Sequence, residues 1–173
     1  MKYANALMEP RIEKVVVNIG AGESGEKLVN AITLLERLTG CKPIRTISKS
    51  RVPAWGVKKG DPLGCKVTLR GKKAGVFLKD CFKAVDNEVK TRNFDMEGNL
   101  SFGIREYIDF PNAKYDPDIG IFGMDVTVTM ERAGYRVKRR RLRPKKIPQK
   151  KRITRDESID YFKKKFKINV VDE

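Results

Sequence analysis

The 173-residue chain has no histidine, and against 38 lysines and arginines it carries only 22 aspartates and glutamates. The first absence removes the Ser-His-Asp and Cys-His relays, the His-ligated catalytic zinc and the imidazole acid/base switch near neutral pH. The second leaves a formal net charge of +16, which needs an anionic partner, most often nucleic acid. No stretch approaches the ~18 apolar residues of a membrane span, and positions 1–10 lack a leader's apolar core, so no membrane role is expected and the cytoplasm is the expected compartment. Cysteine is scarce, and Cys41, Cys65 and Cys81 are too irregularly spaced for a disulfide framework or a metal knuckle, so all three read as buried thiols in a reducing compartment. What is present is enough for one modest core. Hydrophobic residues make up 40% of the chain, and 1–173 reads as a single domain.

Residues 11–19 (RIEKVVVNI) are β-branched and run into Gly20, Gly22 and Gly25, as a strand entering a turn does. Leu28, Ala31, Ile32, Leu35 and Leu38 then recur at helical spacing up to Gly40. Residues 44–47 are a short strand candidate, and 48–64, with two prolines and several glycines, reads as a basic loop. In 65–70, Cys65, Val67 and Leu69 alternate with Lys66, Thr68 and Arg70, giving a core face and a basic, polar face. From Gly71 a helical stripe joins Ala74, Phe77, Leu78, Cys81, Val85 and Val89. Further strands are expected at 101–105 and 124–131, the latter with Asp125, Thr127, Thr129 and Glu131 outward, and between them lies a long loop, 106–123. Residues 136–152 hold eleven basic residues and no acid, which predicts an extended arm, disordered when alone because nothing apolar offsets its ordering entropy. Thr154 and Glu157 form a capping box before a last helix with Ile159, Phe162 and Phe166 on one side, and 168–171 is a short apolar run. The expected fold is α+β: an antiparallel sheet of about four to five strands with helices on one face, plus the basic loop and arm.

The turn Gly20-Ala21-Gly22-Glu23-Ser24-Gly25-Glu26-Lys27 nearly spells a phosphate-binding loop. However, Glu26 stands where the lysine belongs, and no hydroxyl ligand for Mg²⁺ follows Lys27, so nucleotide hydrolysis is not expected. The segment 42–73 carries ten basic residues and the single acid Asp61, with Trp55 inside its loop. A solvated face is the ordinary explanation of a short charge run, but cations on a loop and a strand together with an aromatic ring favour nucleic-acid contact. The carboxylates show no pairing beside a nucleophile, so no catalytic residue, metal site or cofactor is expected. The basic groups lie on a strand face, a loop and an arm, not on one recognition helix, which favours RNA over DNA. The charge alone would also suit a non-specific nucleic-acid chaperone or a DNA-compacting protein.

The run 49–71 (KSRVPAWGVKKGDPLGCKVTLRG), with Val16-Val17-Asn18-Ile19-Gly20, Phe102-Gly103-Ile104-Arg105-Glu106 and Gly123-Met124-Asp125-Val126, resembles the large-subunit ribosomal protein family conventionally numbered five. The likeness covers nearly the whole chain in the same order. The insertion at 136–152 and the capped last helix resemble the archaeal and eukaryotic branch, and the archaeal side is preferred. The resemblance implies a structural protein without catalysis that holds 5S rRNA in the central protuberance and attaches it to large-subunit rRNA beside neighbouring proteins. By that likeness, Asn18, Arg45, Thr46, Lys49, Lys66, Thr68 and Arg70 are candidate rRNA contacts. The arm adds Arg139, Arg140, Arg141, Arg143, Lys145 and Lys146 as cations whose binding releases counterions with little sequence preference. The loop with Arg51, Trp55, Lys58 and Lys59 matches the family's loop toward P-site tRNA, and 106–123 matches its bridge to a small-subunit head protein.

Overall fold

The structure, a computed structural model, describes residues 3, 5–111 and 113–171. Position 112 of the 106–123 loop and positions 1, 2 and 4 of the segment read for a leader lie outside the described residues.

The β-branched run forms β1 (Arg11–Gly20), which takes the centre of a five-stranded antiparallel sheet. Its neighbours are β3 (Pro62–Leu69) and β6 (Met124–Glu131), with β2 (Ile44–Ile47) outside β3 and β5 (Leu100–Ile104) outside β6. Strict alternation along β1 sends Val15, Val17 and Ile19 to one side, where they are fully buried with Cys65, Val67, Leu69, Val126 and Val128 of the adjoining strands. That side receives α1 (Glu26–Thr39) and α2 (Gly71–Lys83). Gly40 ends α1 in the left-handed conformation, at φ 60°, and its N–H donates to the Glu36 carbonyl at 2.9 Å.

The last helix, α3 (Arg155–Phe166), starts at the expected capping box: Thr154 accepts from the Glu157 N–H, and Glu157 accepts from the Thr154 N–H. Its Phe162 and Phe166 meet Phe82 of α2, which stacks on Phe102 of β5 at 5.5 Å between centroids. One ring cluster thus locks α2, α3 and β5 together, and each buried side chain contributes about 1.5–3 kcal/mol.

Several elements differ from the sequence expectation. The helical stripe does not reach Val85 or Val89: α2 stops at Lys83, and Asp86 and Asn87 turn the chain at φ 53° and 58°. Val89 is buried all the same, on β4 (Glu88–Lys90), which pairs in parallel with β7 (Asn169–Val171). The apolar end of the chain therefore becomes a strand of a second, two-stranded sheet. The basic loop is shorter than 48–64, because Pro62–Gly64 already pair in β3, with Thr46 and Gly20 both opposite Gly64. A Cβ on Gly64 would come within 2.6 Å of the Ile19 carbonyl, so that position has no room for a side chain. Cys41 is only half-buried, whereas Cys65 and Cys81 are buried.

Burial pushes the Cys65 thiol up to about 11 and raises Cys81 as well, the latter further helped by the Asp80 carboxylate. A thiol-reactive chromogenic disulfide at pH 8 is therefore expected to modify one cysteine, Cys41, rapidly in the native protein and all three in denaturant. Rapid modification of two or more in the native state would contradict this packing.

Candidate nucleic-acid interface

Among the described residues, the side of the sheet away from α1 and α2 carries mostly polar and charged side chains. Pairing registers place Ile44, Lys66, Asn18, Asp125 and Gly103 in one row across all five strands, about 19 Å wide at the usual strand spacing. The next row holds Thr68, Val16, Thr127 and Ser101, in which the Ser101 and Thr127 hydroxyls share a 3.1 Å hydrogen bond. Lys66, Thr68 and Asp125 are exposed and Asn18 is half-buried. Because these groups stand on paired strands, their spacing is fixed before any partner arrives.

At one end of this face is a depression lined by Asn18, Gly20, Gly103, Arg105, Gly123 and Asp125. Three of these residues are glycines, so a partner can approach the backbone closely. There the Asp125 carboxylate accepts hydrogen bonds only, the Arg105 guanidinium donates only and the Asn18 amide does both, a set suited to a ribose hydroxyl or base edge beside a phosphate.

The opposite end is closed by charge. Glu13 and Glu131, both mostly buried, gather three arginines: Arg11 on Glu131 at 2.7 Å, Arg70 on Glu13 at 3.5 Å, and Arg139 bridging both carboxylates, 2.8 Å from Glu131. Arg139 belongs to the basic arm, which is therefore rooted on the sheet instead of extending freely. The Tyr135 hydroxyl donates to the Lys151 carbonyl at 3.2 Å and accepts from the Ile153 N–H at 3.0 Å, and Ile153 is buried. Arg152 reaches Glu97 at 3.2 Å. Carboxylates from β1, β6 and the segment before β5 thus supply the counter-charge that the arm's own sequence lacks, and Ile153 supplies an apolar anchor. Arg140, Arg141, Arg143, Lys145 and Lys146 remain exposed beyond this root.

The structure brings together Asn18, Thr46, Lys66, Thr68 and Arg70, with Arg70 just past β3 at the N-cap of α2. It separates Arg45, which is opposite Cys65 and so shares the helix side of the sheet. Lys49 is exposed at the start of the loop. The loop closes on itself through a Val52–Val57 bridge, hydrogen bonds between Ser48 and both Gly60 and Asp61, and a single 3-10 turn at Pro53–Trp55. That arrangement holds Trp55 79% exposed, beside exposed Arg51, Lys58 and Lys59. The 106–123 loop is pinned to α1: Asn30 donates to the Asp118 carbonyl at 2.7 Å, and Arg37 pairs with Asp116 at 2.8 Å. The hydrogen bond from Arg37 holds the Asp116 carboxyl below its usual range.

In the sequence Asp125, Thr127 and Glu131 stand as outward groups without an assigned role, and Glu13 and Arg132 carry no mark of one. The alternation of β6 marks the first three. For Glu13 there is no local signal, since its partners are distant in sequence and meet it only through strand pairing.

The arrangement is a rigid polar face on a strongly basic chain, backed by helices. Residues 5–58 match the family model described as Ribosomal protein L5, and 62–161 match the model of that ribosomal family's C-terminus. The chain is 52% identical over 166 residues to the large ribosomal subunit protein uL5 of Methanosphaera stadtmanae, covering 96% of this chain and 99% of that one. It is 47% identical to the protein of that name from Methanobrevibacter smithii, covering 98% and 99%, and 49% identical to that from Methanococcus maripaludis, covering 96% and 94%. The chain belongs to the ribosomal L5 family, of archaeal type, whose members are structural, non-enzymatic constituents of the large subunit of the cytoplasmic ribosome.

Proposed function

We propose that the open sheet face binds 5S rRNA and that the protein attaches this RNA to large-subunit rRNA in the central protuberance. The observation that carries the reading is the register-fixed row Lys66–Asn18–Asp125, with Thr68 and Thr127 beside it, on the face away from α1 and α2 in a chain of charge +16. Donors and acceptors at fixed spacing suit a folded RNA surface, and the arm cations add sequence-independent attraction. The Trp55 loop serves P-site tRNA, with Arg51, Lys58 and Lys59 on phosphates. The 106–123 loop takes part in a bridge to a small-subunit head protein, and neighbouring central-protuberance proteins complete its surroundings.

A competition assay between 5S rRNA and duplex DNA of equal length tests this reading. Strong preference for 5S rRNA supports it, and equal affinities would favour a non-specific chaperone or DNA-compacting protein. Trp55→Ala is expected to leave 5S affinity within about twofold, since the loop stands off the sheet, and to alter chemical footprints on P-site tRNA in ribosomes carrying the variant. A drop in 5S affinity would move the loop to the 5S surface.

A further inference from the structure

On α2, Lys72, Val76, Lys79 and Lys83 recur at intervals of four, three and four residues. They therefore form one line along the helix, opposite buried Ala74, Phe77, Leu78, Cys81 and Phe82. All four are exposed, Val76 by 64%. Lys83 has an acidic neighbour, Asp80, at 3.4 Å, and among the described residues Lys72 and Lys79 have no ion pair. Bordering this line is Gly75, in the interior of the helix. Its backbone is ordinary right-handed helix, and a Cβ added there would meet nothing within 4 Å. Neither conformation nor packing within the chain calls for glycine here, and glycine weakens a helix interior relative to alanine. The missing side chain does have one physical effect, which is to let another molecule approach the helix backbone between the lysines.

We propose that the outer stripe of α2, with Lys72, Lys79 and the gap at Gly75, is a second RNA surface that takes the sugar-phosphate backbone of a different RNA segment from the one on the sheet. The proposal rests on the ribosomal reading above and assigns the attachment to large-subunit rRNA a place in the fold. The lysines set the sign of the partner, and the scarcity of apolar groups, with Val76 alone exposed on the stripe, favours a phosphate backbone over a protein helix. The stripe lies on the helix layer and the 5S face on the opposite side of the sheet, so both RNAs can be held at once.

The test uses the full chain in two titrations, against 5S rRNA and, with 5S rRNA already bound, against transcribed large-subunit rRNA. Lys72→Gln with Lys79→Gln is expected to weaken the second RNA about tenfold and to leave 5S affinity within twofold. Gly75→Ala is expected to raise Tm by about 2 °C while weakening the second RNA about fivefold, a divergence that a purely structural glycine does not produce. A photocrosslinker at Val76 in purified large subunits is expected to join to RNA. Unchanged affinity for the second RNA in these variants, a parallel loss of 5S affinity, or crosslinks to protein alone would each overturn the proposal. Failure of the ribosomal reading itself shows separately, as absence of 5S preference in the unaltered protein.

Discussion

Replacing Lys66 and Arg70 together by alanine is expected to lower 5S rRNA affinity about 30- to 100-fold, against about tenfold or less for Arg140 and Arg141 replaced together in the same buffer. Both pairs remove two positive charges, so a difference between them measures geometry. Lys66 stands on β3, in register with Asn18 on β1. Arg70 leaves the same strand and is steadied by Glu13 at 3.5 Å. Their charges are presented at fixed positions, and each well-placed contact contributes about 1–1.4 kcal/mol. Arg140 and Arg141 are exposed beyond the arm's root and outside any strand, and long exposed side chains lose rotamer freedom on binding, which offsets part of their attraction. The arm's share is also the more strongly weakened by salt. Equal losses from the two pairs would mean that charge count, and not the face, governs binding.

The largest effect on stability is expected at Arg132. Its guanidinium is buried just after β6, with one nitrogen 2.6 Å from both Glu157 oxygens and another 3.4 Å from the Lys151 and Arg152 carbonyls. Glu157 also closes the capping box of α3. The pair therefore joins the end of the sheet, the return of the arm and the start of the last helix. Removing one partner leaves the other charge poorly solvated, which costs about 3–5 kcal/mol, whereas removing both costs less than the sum. Arg132→Ala is expected to lower Tm by about 10 °C, with a matching fall in the urea midpoint, and Glu157→Ala to behave alike. A loss below about 1 kcal/mol for Arg132→Ala would show that the pair is not structural.

What the sequence discloses and what it hides have separate physical causes. Alternation in 65–70 and 124–131, the glycine turn after β1 and the capping box at Thr154 are local patterns, and an element forms at each, with β3 beginning earlier, at Pro62. The α2 boundary escapes a reading of the sequence because Val85 and Val89 continue the apolar period by coincidence, while two left-handed residues end the helix. The rooting of the arm is invisible for a deeper reason. An arm with eleven cations and no acid looks unsupported in isolation, and only the pairing of β1 with β6 brings Glu13 and Glu131 together under Arg139. Of the candidate contacts, those on β1 and β3 share the open face because alternation dictates it. Arg45 does not, because its side is fixed by the pairing of β2 with β3, which a four-residue strand does not disclose.

Whether a shaped face or bulk charge recognises the RNA is decided by titrating the protein against 5S rRNA and an unrelated RNA of equal length across a salt series. The two affinities are expected to fall together with salt while 5S keeps an advantage of about 4 kcal/mol or more, the order seen for specific recognition. Curves that converge as salt rises would contradict it and leave electrostatics alone as the basis of binding.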